Sequence, residues 1–377
     1  MRGLATHVGT SGDGALFGLV DFDAGTGLGG VPLGETASGN PFAYDPFDAY
    51  RAGLVTNPNL IVTGAIGSGK SSVVKMMVAR ARARNRRVVV VDPKGEYRAL
   101  VETLGGSYWR LGENGWCTPF LGGDAIDVDA ALSAWSLASG RALLAKERVM
   151  ATHLVRTTRS SRPLPEWRER GGREMPEDLR AGLDRLIDGD LAGIFDGPGD
   201  PVELDSGLTV VDVSSYWGRE SLALAALAAV STARGSSEST ASHVIIDEAW
   251  AVLNDESTLT WLRGSWKLAR ARATSHVLVL HRFGDVAAVS GVGSAERARA
   301  ESLVRDCDTA VIMRQGEGDE GGGVDLVGAN ETRRRLVRGL RRGEALWRTG
   351  SAWSLVRLRP TDLDRRLIDT DERMRRA

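Results

Sequence analysis

The stretch Gly64-Ala65-Ile66-Gly67-Ser68-Gly69-Lys70-Ser71 decides the fold of this chain. It fits the phosphate-loop pattern G-x-x-x-x-G-K-[ST] at every fixed position. Residues 59–63 before it, Asn-Leu-Ile-Val-Thr, predict a short buried strand, and residues 72–84 after it carry apolar side chains at helical spacing. Because strand, loop and helix follow one another in the required order, they favour a phosphate-binding loop over a glycine-rich turn that matches by chance.

The spacing of this loop follows from the chemistry of phosphate binding. Glycines let the backbone wrap tightly, so that successive N–H groups point at phosphate oxygens, and the following helix adds the positive end of its dipole. Lys70 brings a charge to the same oxygens, and the Ser71 hydroxyl is placed to ligate Mg²⁺. The sequence thus predicts a site for ATP and Mg²⁺ formed by Gly64, Ala65, Ile66, Gly67, Ser68, Gly69, Lys70, Ser71 and Ser72.

Composition sets wider bounds on the class of protein. The 377 residues are 42% hydrophobic and carry a formal net charge of -1, so any contact with nucleic acid must come from local patches. The two cysteines, Cys117 and Cys307, predict neither a disulfide framework nor a metal cluster, and both are interpreted as buried residues of a reducing compartment. No signal-peptide pattern is visible and the apolar run 222–230 is too short to span a bilayer, so we expect a soluble cytoplasmic protein.

A second strand follows the phosphate-loop helix. The β-branched run at 87–91 suits a strand buried on both faces, and it ends at Asp92-Pro93-Lys94-Gly95-Glu96-Tyr97. Strand, helix and strand form a βαβ unit, in which ligands bind outside the carboxyl ends of the strands. The charged residues of this stretch therefore emerge on the rim that holds the phosphate loop. A polar turn punctuated by proline and glycine explains the stretch equally well.

A third stretch, His243-Val244-Ile245-Ile246-Asp247-Glu248-Ala249-Trp250, is a buried hydrophobic strand that ends in two adjacent carboxylates. In a phosphate-loop protein this is the Walker B arrangement. Asp247 is predicted to hold the Mg²⁺ shell, and Glu248 to polarise the attacking water as a general base.

Strands and helices alternate along the chain with one helical interruption and no internal repeat, which predicts an α/β fold with a mostly parallel sheet. Residues 99–123 look irregular. Residues 41–47 are interpreted as a loop that packs its aromatic side chains into the core, with packing near the nucleotide base or against a neighbouring subunit as the alternative. We divide the chain into short N-terminal strands and loops (1–50), a first α/β segment (51–126), an all-helical insertion (127–190), a second α/β segment that ends in a hairpin (191–360) and a charged tail (361–377).

Together these motifs resemble the motor ATPases of conjugation and type IV secretion, the VirB/TraC-like group within the HerA/FtsK superfamily of phosphate-loop NTPases. Residues 92–97 are similar to the D-P-x-G-E-Y stretch of the group, and residues 246–250 to its D-E-A-W form of Walker B. Further similarity lies in the turn 193–197 with the strand 208–213, in the late strand 306–315 and in the closing hairpin that begins at 343. The resemblance spans roughly residues 55 to 358.

The resemblance implies a RecA-like motor that assembles into a ring, usually a hexamer, with an inserted helical subdomain and ATP bound between subunits. An arginine of the neighbouring subunit completes such a site and lies on the helix after Walker B, here predicted at 259–273. Arg270 and Arg272 match that position, with solvated helix charges as the alternative. His281-Arg282 stands where the group usually has Thr-Gln or Ser-Gln as a sensor of the γ-phosphate, so either a cation here senses the phosphate by its charge or Arg282 is itself the finger. Only about 60 residues precede the phosphate loop, so we expect a variant without most of the group's N-terminal domain.

Three functions remain open at this stage. The first is an ATP-hydrolysing motor that powers conjugative DNA transfer, secretion or channel assembly, attached to the inner face of the plasma membrane through channel proteins. The second is a HerA-like DNA translocase in repair or defence, and the third is an ATP-binding switch or assembly module with little turnover. The local patch suited to DNA, called the basic cluster below, comprises Arg333, Arg334, Arg335, Arg338, Arg341 and Arg342; a solvated helical face is its alternative explanation.

Overall fold

The computed structural model of the chain describes residues 29–117, 128–158, 163–197, 199–204, 207–217, 219–234, 241–253, 256–281, 295–316 and 324–368. The predicted features at residues 1–28, at Arg282 and in the last residues of the tail lie outside the described residues.

The central feature is an eleven-stranded sheet in the order β2-β1-β13-β12-β11-β3-β10-β9-β4-β8-β5. The seven strands from β11 to β5 are mutually parallel, and the four from β2 to β12 form an antiparallel edge. The described strands are β1 (Val31–Thr36), β2 (Pro41–Tyr44), β3 (Leu60–Thr63), β4 (Arg87–Asp92), β5 (Ser107–Arg110), β6 (Gly115–Trp116), β7 (Asp200–Pro201), β8 (Leu208–Asp212), β9 (Ser242–Ile246), β10 (Thr274–Leu280), β11 (Thr309–Met313), β12 (Glu344–Thr349) and β13 (Ala352–Leu358).

Helices cover both faces of the sheet, which explains why its parallel strands are continuous apolar runs. Side chains of a strand point to alternate faces, so Val88 and Val90 join one core cluster while Val89 and Val91 join the other. The described helices are α1 (Pro46–Arg51), α2 (Lys70–Ala83), α3 (Arg98–Leu104), α4 (Val128–Ala138), α5 (Ala145–Thr157), α6 (Pro163–Gly171), α7 (Glu177–Ile187), α8 (Arg219–Arg234), α9 (Trp250–Leu253), α10 (Glu256–Leu268), α11 (Ala295–Arg305), α12 (Glu331–Gly339) and α13 (Asp362–Ile368).

Helices α4 to α7 form the helical insertion, which lies between the short strands β6 and β7. At its centre the rings of Trp135 and Trp167 stack with centroids 5.3 Å apart, and both side chains are buried. The indole N–H of Trp135 donates to the carbonyl of Leu179 at 2.8 Å, so its one polar atom is satisfied. Because α4 also packs on α8 and α10, the insertion shares one hydrophobic core with the sheet. The α/β class, the mostly parallel sheet and the C-terminal hairpin are confirmed.

The prediction of a loop at residues 41–47 is wrong. Residues Pro41–Tyr44 form β2 on the edge of the sheet, and α1 begins directly afterwards with Asp45 as its N-cap. The aromatic side chains do enter the core, because Phe42 and Tyr44 both pack on Trp347 of the hairpin, with centroids 5.2 and 5.1 Å away. An edge strand can begin with a proline, since that position needs no N–H for the ladder.

Three further expectations need correction. Residues 99–123 are not irregular throughout, because they contain α3 and the edge strand β5. The helix predicted at 259–273 ends at Leu268. Part of the charged tail is helix α13, whose buried Asp364 accepts a hydrogen bond of 2.7 Å from Arg80 of α2. Among the described residues, no helix combines the length and the apolar character that crossing a membrane requires.

Candidate active site

The carboxyl ends of four neighbouring parallel strands meet at one rim of the sheet. The phosphate loop follows β3, His281 follows β10, the Walker B carboxylates follow β9, and the 92–97 loop follows β4. Since adjacent strands lie roughly 5 Å apart, the phosphate loop and Glu248 belong to strands separated by about 10 Å, with His281 between them. The phosphate loop and the Walker B carboxylates are thus brought together, with β10 between their strands.

Glycine is required at two positions of the phosphate loop. Gly69 has φ of 106°, a left-handed conformation that a side chain rarely adopts. A Cβ at Gly64 would lie 2.6 Å from the Ser68 Oγ and 2.8 Å from the Met313 Cβ, which is closer than real Cβ contacts. The loop is held to the neighbouring strand because the Ala65 N–H donates to the carbonyl of Arg314 at 2.8 Å.

The loop offers donors that suit a phosphate. Lys70 Nζ, on a buried side chain, donates to the loop carbonyls of Gly64 and Ala65 at 2.6 and 3.1 Å. The N-cap of α2 is Gly69, which has no side chain with which to cap the helix, and the first turn contains Ser71 and Ser72. The buried Ser68 Oγ has no hydrogen-bond partner within the described part of the protein. A cation, open helix N–H groups and an unsatisfied hydroxyl together fit an anionic ligand.

Asp247 is a buried carboxylate whose two oxygens are oriented by separate donors. Its Oδ1 accepts the backbone N–H of Glu248 at 2.9 Å, and its Oδ2 accepts the hydroxyl of Tyr97 at 3.0 Å. Burial raises the pKa of Asp247 and the adjacent Glu248 charge adds to this, while the two hydrogen bonds and Lys94 oppose it. A positive ion near Asp247 would relieve this desolvation. A carboxylate and the Ser71 hydroxyl are oxygen donors, which Mg²⁺ prefers, so the residues fit that ion.

Tyr97 connects three parts of the site. Its backbone N–H donates to the Asp92 Oδ2 at 2.9 Å, and its hydroxyl reaches Asp247 as described above. From α2, the buried Lys75 donates to the carbonyl of Glu96 at 3.0 Å, and its Nζ lies 5.3 Å from the centroid of the Tyr97 ring. Burial raises the pKa of Asp92 to about 6, against the hydrogen bonds from the 92–97 loop. The 92–97 loop therefore joins the phosphate-loop helix to the Walker B strand.

Glu248 is held by three side chains that converge on its two oxygens. Lys94 and His281 both pair with Oε1, the latter through Nε2 at 2.7 Å, and Trp250 Nε1 donates to Oε2 at 2.7 Å. The residue has φ of 50°, the left-handed region. Burial raises the pKa of Glu248, but His281 and Lys94 outweigh it and lower the pKa to about 2. In this conformation Glu248 is an ionised carboxylate whose two oxygens both have partners.

A further carboxylate, Asp212, extends the rim at the end of β8. Its Oδ2 accepts the Tyr108 hydroxyl at 2.5 Å and the Arg110 Nε at 3.1 Å, both from β5. Burial raises the pKa of Asp212, but hydrogen bonds from Ser214, Tyr108 and Arg110 outweigh it, and the net pKa is lowered. The Asp212 carboxylate thus has its hydrogen-bond donors within this cluster, which lies one strand beyond the 92–97 loop.

The arginine candidates lie elsewhere. Arg270 and Arg272 follow the end of α10, in the turn at 269–273 that leads into the amino end of β10. The length of β10 places them about 20 Å from the rim that carries the phosphate loop of the same chain. Arg282 lies outside the described residues. Neither Arg270 nor Arg272 therefore reaches the phosphate loop of the same chain.

Sequence reasoning missed the roles of Tyr97, Lys75 and Trp250, and left Lys94 undecided between the rim and a polar turn. The sequence did indicate a rim position for Lys94, because the residue follows a buried strand almost directly. What the sequence does not reveal is that β4 and β10 flank β9, which directs Lys94 and His281 to Glu248 from opposite sides.

Comparison with known proteins agrees with this architecture. Residues 30–128 match the family model of the TraG P-loop domain. The structure of VirB4 of Thermoanaerobacter pseudethanolicus superposes with a TM-score of 0.75 and 20% sequence identity, covering 89% of this chain and 98% of that chain. The plasmid coupling protein TrwB in complex with the ATP analogue ADPNP gives a TM-score of 0.54 at 17% identity, over 86% of this chain and 89% of that chain. A comparison with curated protein sequences found no match. The resemblance predicted from the motifs is confirmed, and the fold is that of these phosphate-loop proteins.

Proposed function

We propose that this chain, which carries a TraG-type P-loop domain and has the fold of VirB4, is an ATP-hydrolysing motor of conjugation or type IV secretion. The observation that carries the proposal is the convergence of a complete phosphate loop, a buried Asp247 and the carboxylate of Glu248 on one rim. The solved structures of the similar coupling protein TrwB include complexes with ADPNP and with ADP and Mg²⁺, which supports the same ligands here.

In the proposed reaction each residue has a distinct task. Lys70 and the N–H groups of the loop bind the β- and γ-phosphates, for which Lys70 exchanges its present carbonyl partners. Ser71 and Asp247 would hold Mg²⁺, which neutralises phosphate charge when bound. Glu248 orients and polarises the attacking water, and the water's proton passes to a Glu248 carboxylate oxygen. Tyr97 keeps the Asp247 carboxylate turned toward the rim.

Arg270 and Arg272 are proposed to act on the neighbouring subunit in a ring. Both arginines lie at the edge of the sheet opposite the phosphate loop of the same chain. In a ring, that edge is free to face the phosphate loop of an adjacent chain, which supports the proposal. A guanidinium there would stabilise charge that develops on the transferred phosphate. Arg282 remains a third candidate from the sequence alone.

Complementation tests the shared site. Lys70→Ala subunits lack a working phosphate loop but keep their arginines, while Arg270→Ala/Arg272→Ala subunits have the opposite defect. We expect each variant alone to be inactive and a mixture of the two to regain part of the wild-type turnover. Full activity of the arginine variant, or no recovery in a mixture of subunits that co-assemble, would remove these arginines from the mechanism.

An ATP-binding switch is the second candidate, and the surroundings of Glu248 favour it, because its three partners take up about three of the four lone-pair positions of the carboxylate. Steady-state ATP hydrolysis with Lys70→Ala as the control distinguishes the two functions. Turnover that Lys70→Ala abolishes supports the motor, and ATP binding without turnover in any assembly state supports the switch.

DNA and channel proteins are the proposed partners, at the cytoplasmic face of a secretion or conjugation apparatus. The basic cluster supports contact with DNA only in part. Arg334 pairs with Asp325, Arg335 pairs with Glu331, and the guanidinium of Arg333 lies 4.5 Å from the centroid of the Trp353 ring. Stimulation of turnover by DNA would favour a DNA motor, including the alternative HerA-like translocase, over a motor for protein secretion or channel assembly.

A further inference from the structure

The surroundings of Glu248 present a physical problem for the proposed reaction. A general base needs an oxygen that faces the water it activates. Here Oε1 has two partners, Lys94 and His281, and Oε2 has a third, Trp250. The left-handed φ of 50° at Glu248 further fixes the direction of the side chain. The three partners take up about three of the four lone-pair positions of the carboxylate, and two of them are basic side chains that draw its charge, so Glu248 becomes a better base when Lys94 and His281 leave.

The three partners differ in how readily they can leave. Trp250 is two residues from Glu248 on the same turn and belongs to α9. Lys94 and His281 instead come from the loops after β4 and β10, the strands on either side of β9. The side chains of Lys94 and His281 are 36% and 27% exposed, whereas that of Glu248 is 3% exposed. The carboxylate is thus fixed, and its two partners stand at the open side of the rim.

His281 is also placed to meet a second partner. The strand that it follows, β10, lies directly between the phosphate-loop strand β3 and β9. Its Nδ1 is buried and has no hydrogen-bond partner within the described part of the protein. A terminal phosphate on the phosphate loop would approach this position as a multiply charged anion, with three oxygens able to accept from an ammonium and an imidazole.

We propose that Lys94 and His281 form a latch that holds Glu248 away from water until the terminal phosphate of a nucleoside triphosphate replaces the carboxylate as their partner. This inference rests on the proposed function, because it assigns the trigger to the same nucleotide site. A nucleoside diphosphate lacks the terminal phosphate and leaves the latch closed. Lys94 and His281 act on the reaction through Glu248 while the latch is closed, and they contact the terminal phosphate once it is open.

The latch can be observed without turnover, because Trp250 reports on Glu248 through its hydrogen bond. The tryptophan fluorescence of the wild type minus that of Trp250→Phe is the signal of Trp250. ADPNP with Mg²⁺ is expected to change this difference signal, and ADP with Mg²⁺ to leave it unchanged. Trp217→Phe is the matched control, because the Trp217 ring packs edge-on to Trp250 with centroids 6.3 Å apart and contacts solvent instead of Glu248.

Kinetics then separates a latch from a merely structural ion pair. Lys94→Gln is expected to raise kcat about fivefold, the scale of one partly exposed ion pair, and also to raise KM, because the variant loses the contact of Lys94 with the terminal phosphate. Lys94→Arg, which keeps the charge, should restore the wild-type kcat. A lower kcat in Lys94→Gln, or the same Trp250 signal with ADPNP and ADP, overturns the latch.

Failure of the latch is distinguishable from failure of the proposed function. A triphosphate-specific Trp250 signal in a wild type that never turns over leaves the latch standing and removes the motor. Turnover abolished by Lys70→Ala, together with no triphosphate-specific signal, leaves the motor standing and removes the latch. A wild type that shows no signal with either nucleotide also overturns the latch.

Discussion

The hydroxyl of Tyr97 is expected to control how tightly the site binds Mg²⁺. Tyr97→Phe removes one oxygen from a buried ring and keeps the rest of the side chain. It takes away the donor that holds Asp247 Oδ2 at 3.0 Å, and leaves the backbone N–H of Glu248 on Oδ1. Losing a donor that orients a metal ligand typically costs 10- to 100-fold in metal affinity. Because the ring stays packed over Lys75, we expect the lower end, roughly tenfold.

The assay is ATP hydrolysis at saturating nucleotide while the Mg²⁺ concentration is varied. Tyr97→Phe should need roughly ten times more Mg²⁺ for half-maximal rate, and should approach the wild-type rate when Mg²⁺ saturates. Tyr108→Phe is the matched control, since it removes a hydroxyl that donates to Asp212, a carboxylate outside the predicted metal site. Both variants lose one hydrogen bond to a carboxylate and should lose similar stability, about 1–3 kcal/mol.

Two results would refute this reasoning. Equal Mg²⁺ dependence of Tyr97→Phe and the wild type would show that Tyr97 does not orient a metal ligand. An equal shift in Tyr108→Phe would show that the effect is a general loss of stability at the rim.

Three other predictions concern stability and DNA. The pKa of Asp92 rises from 3.8 to about 6 on folding, so its contribution to folding stability is complete below pH 3.8 and is lost as the pH rises through about 6. Between pH 4 and 7, urea unfolding should show the wild type losing about 3 kcal/mol of stability relative to Asp92→Asn. Asp364→Ala should cost about 3 kcal/mol by leaving Arg80 partly buried without its carboxylate, whereas Arg365→Ala, at an exposed ion pair, should cost less than about 0.5 kcal/mol. Within the basic cluster, glutamine substitutions at Arg334, Arg338 and Arg341 together should weaken DNA binding and flatten its salt dependence, and an unchanged salt slope would exclude the cluster. Among the three single variants, Arg334→Gln should have the smallest effect, because Asp325 already holds that guanidinium.

The parts of the site that could be predicted are those encoded within one short stretch. The phosphate loop and the Asp247-Glu248 pair each follow a short apolar run whose length and β-branched residues favour a buried strand, so chemistry and local structure are read together. The same holds for the α/β class, because the alternation of strands and helices is visible along the chain.

The parts that could not be predicted depend on which strands become neighbours. The contacts of Glu248 with Lys94 and His281 join residues more than 30 positions apart in sequence, and they exist because β4 and β10 flank β9. The end of α10 was misjudged because the apolar pattern continues into Ala269, although Ala273, with φ of 46°, belongs to a turn. The edge strand β2 was taken for a loop because Pro41 at its start and Pro46 just after its end resemble loop punctuation.

The central claim is that Glu248 turns a nucleotide-binding rim into a site of hydrolysis. The most direct measurement compares ATP binding and single-turnover phosphate release in the wild type and in Glu248→Gln, with Lys70→Ala as the variant that lacks binding. The account predicts that Glu248→Gln binds ATP as the wild type does and that its phosphate release falls at least about 100-fold, the lower range of general-base catalysis. Phosphate release by Glu248→Gln at the wild-type rate would contradict the account.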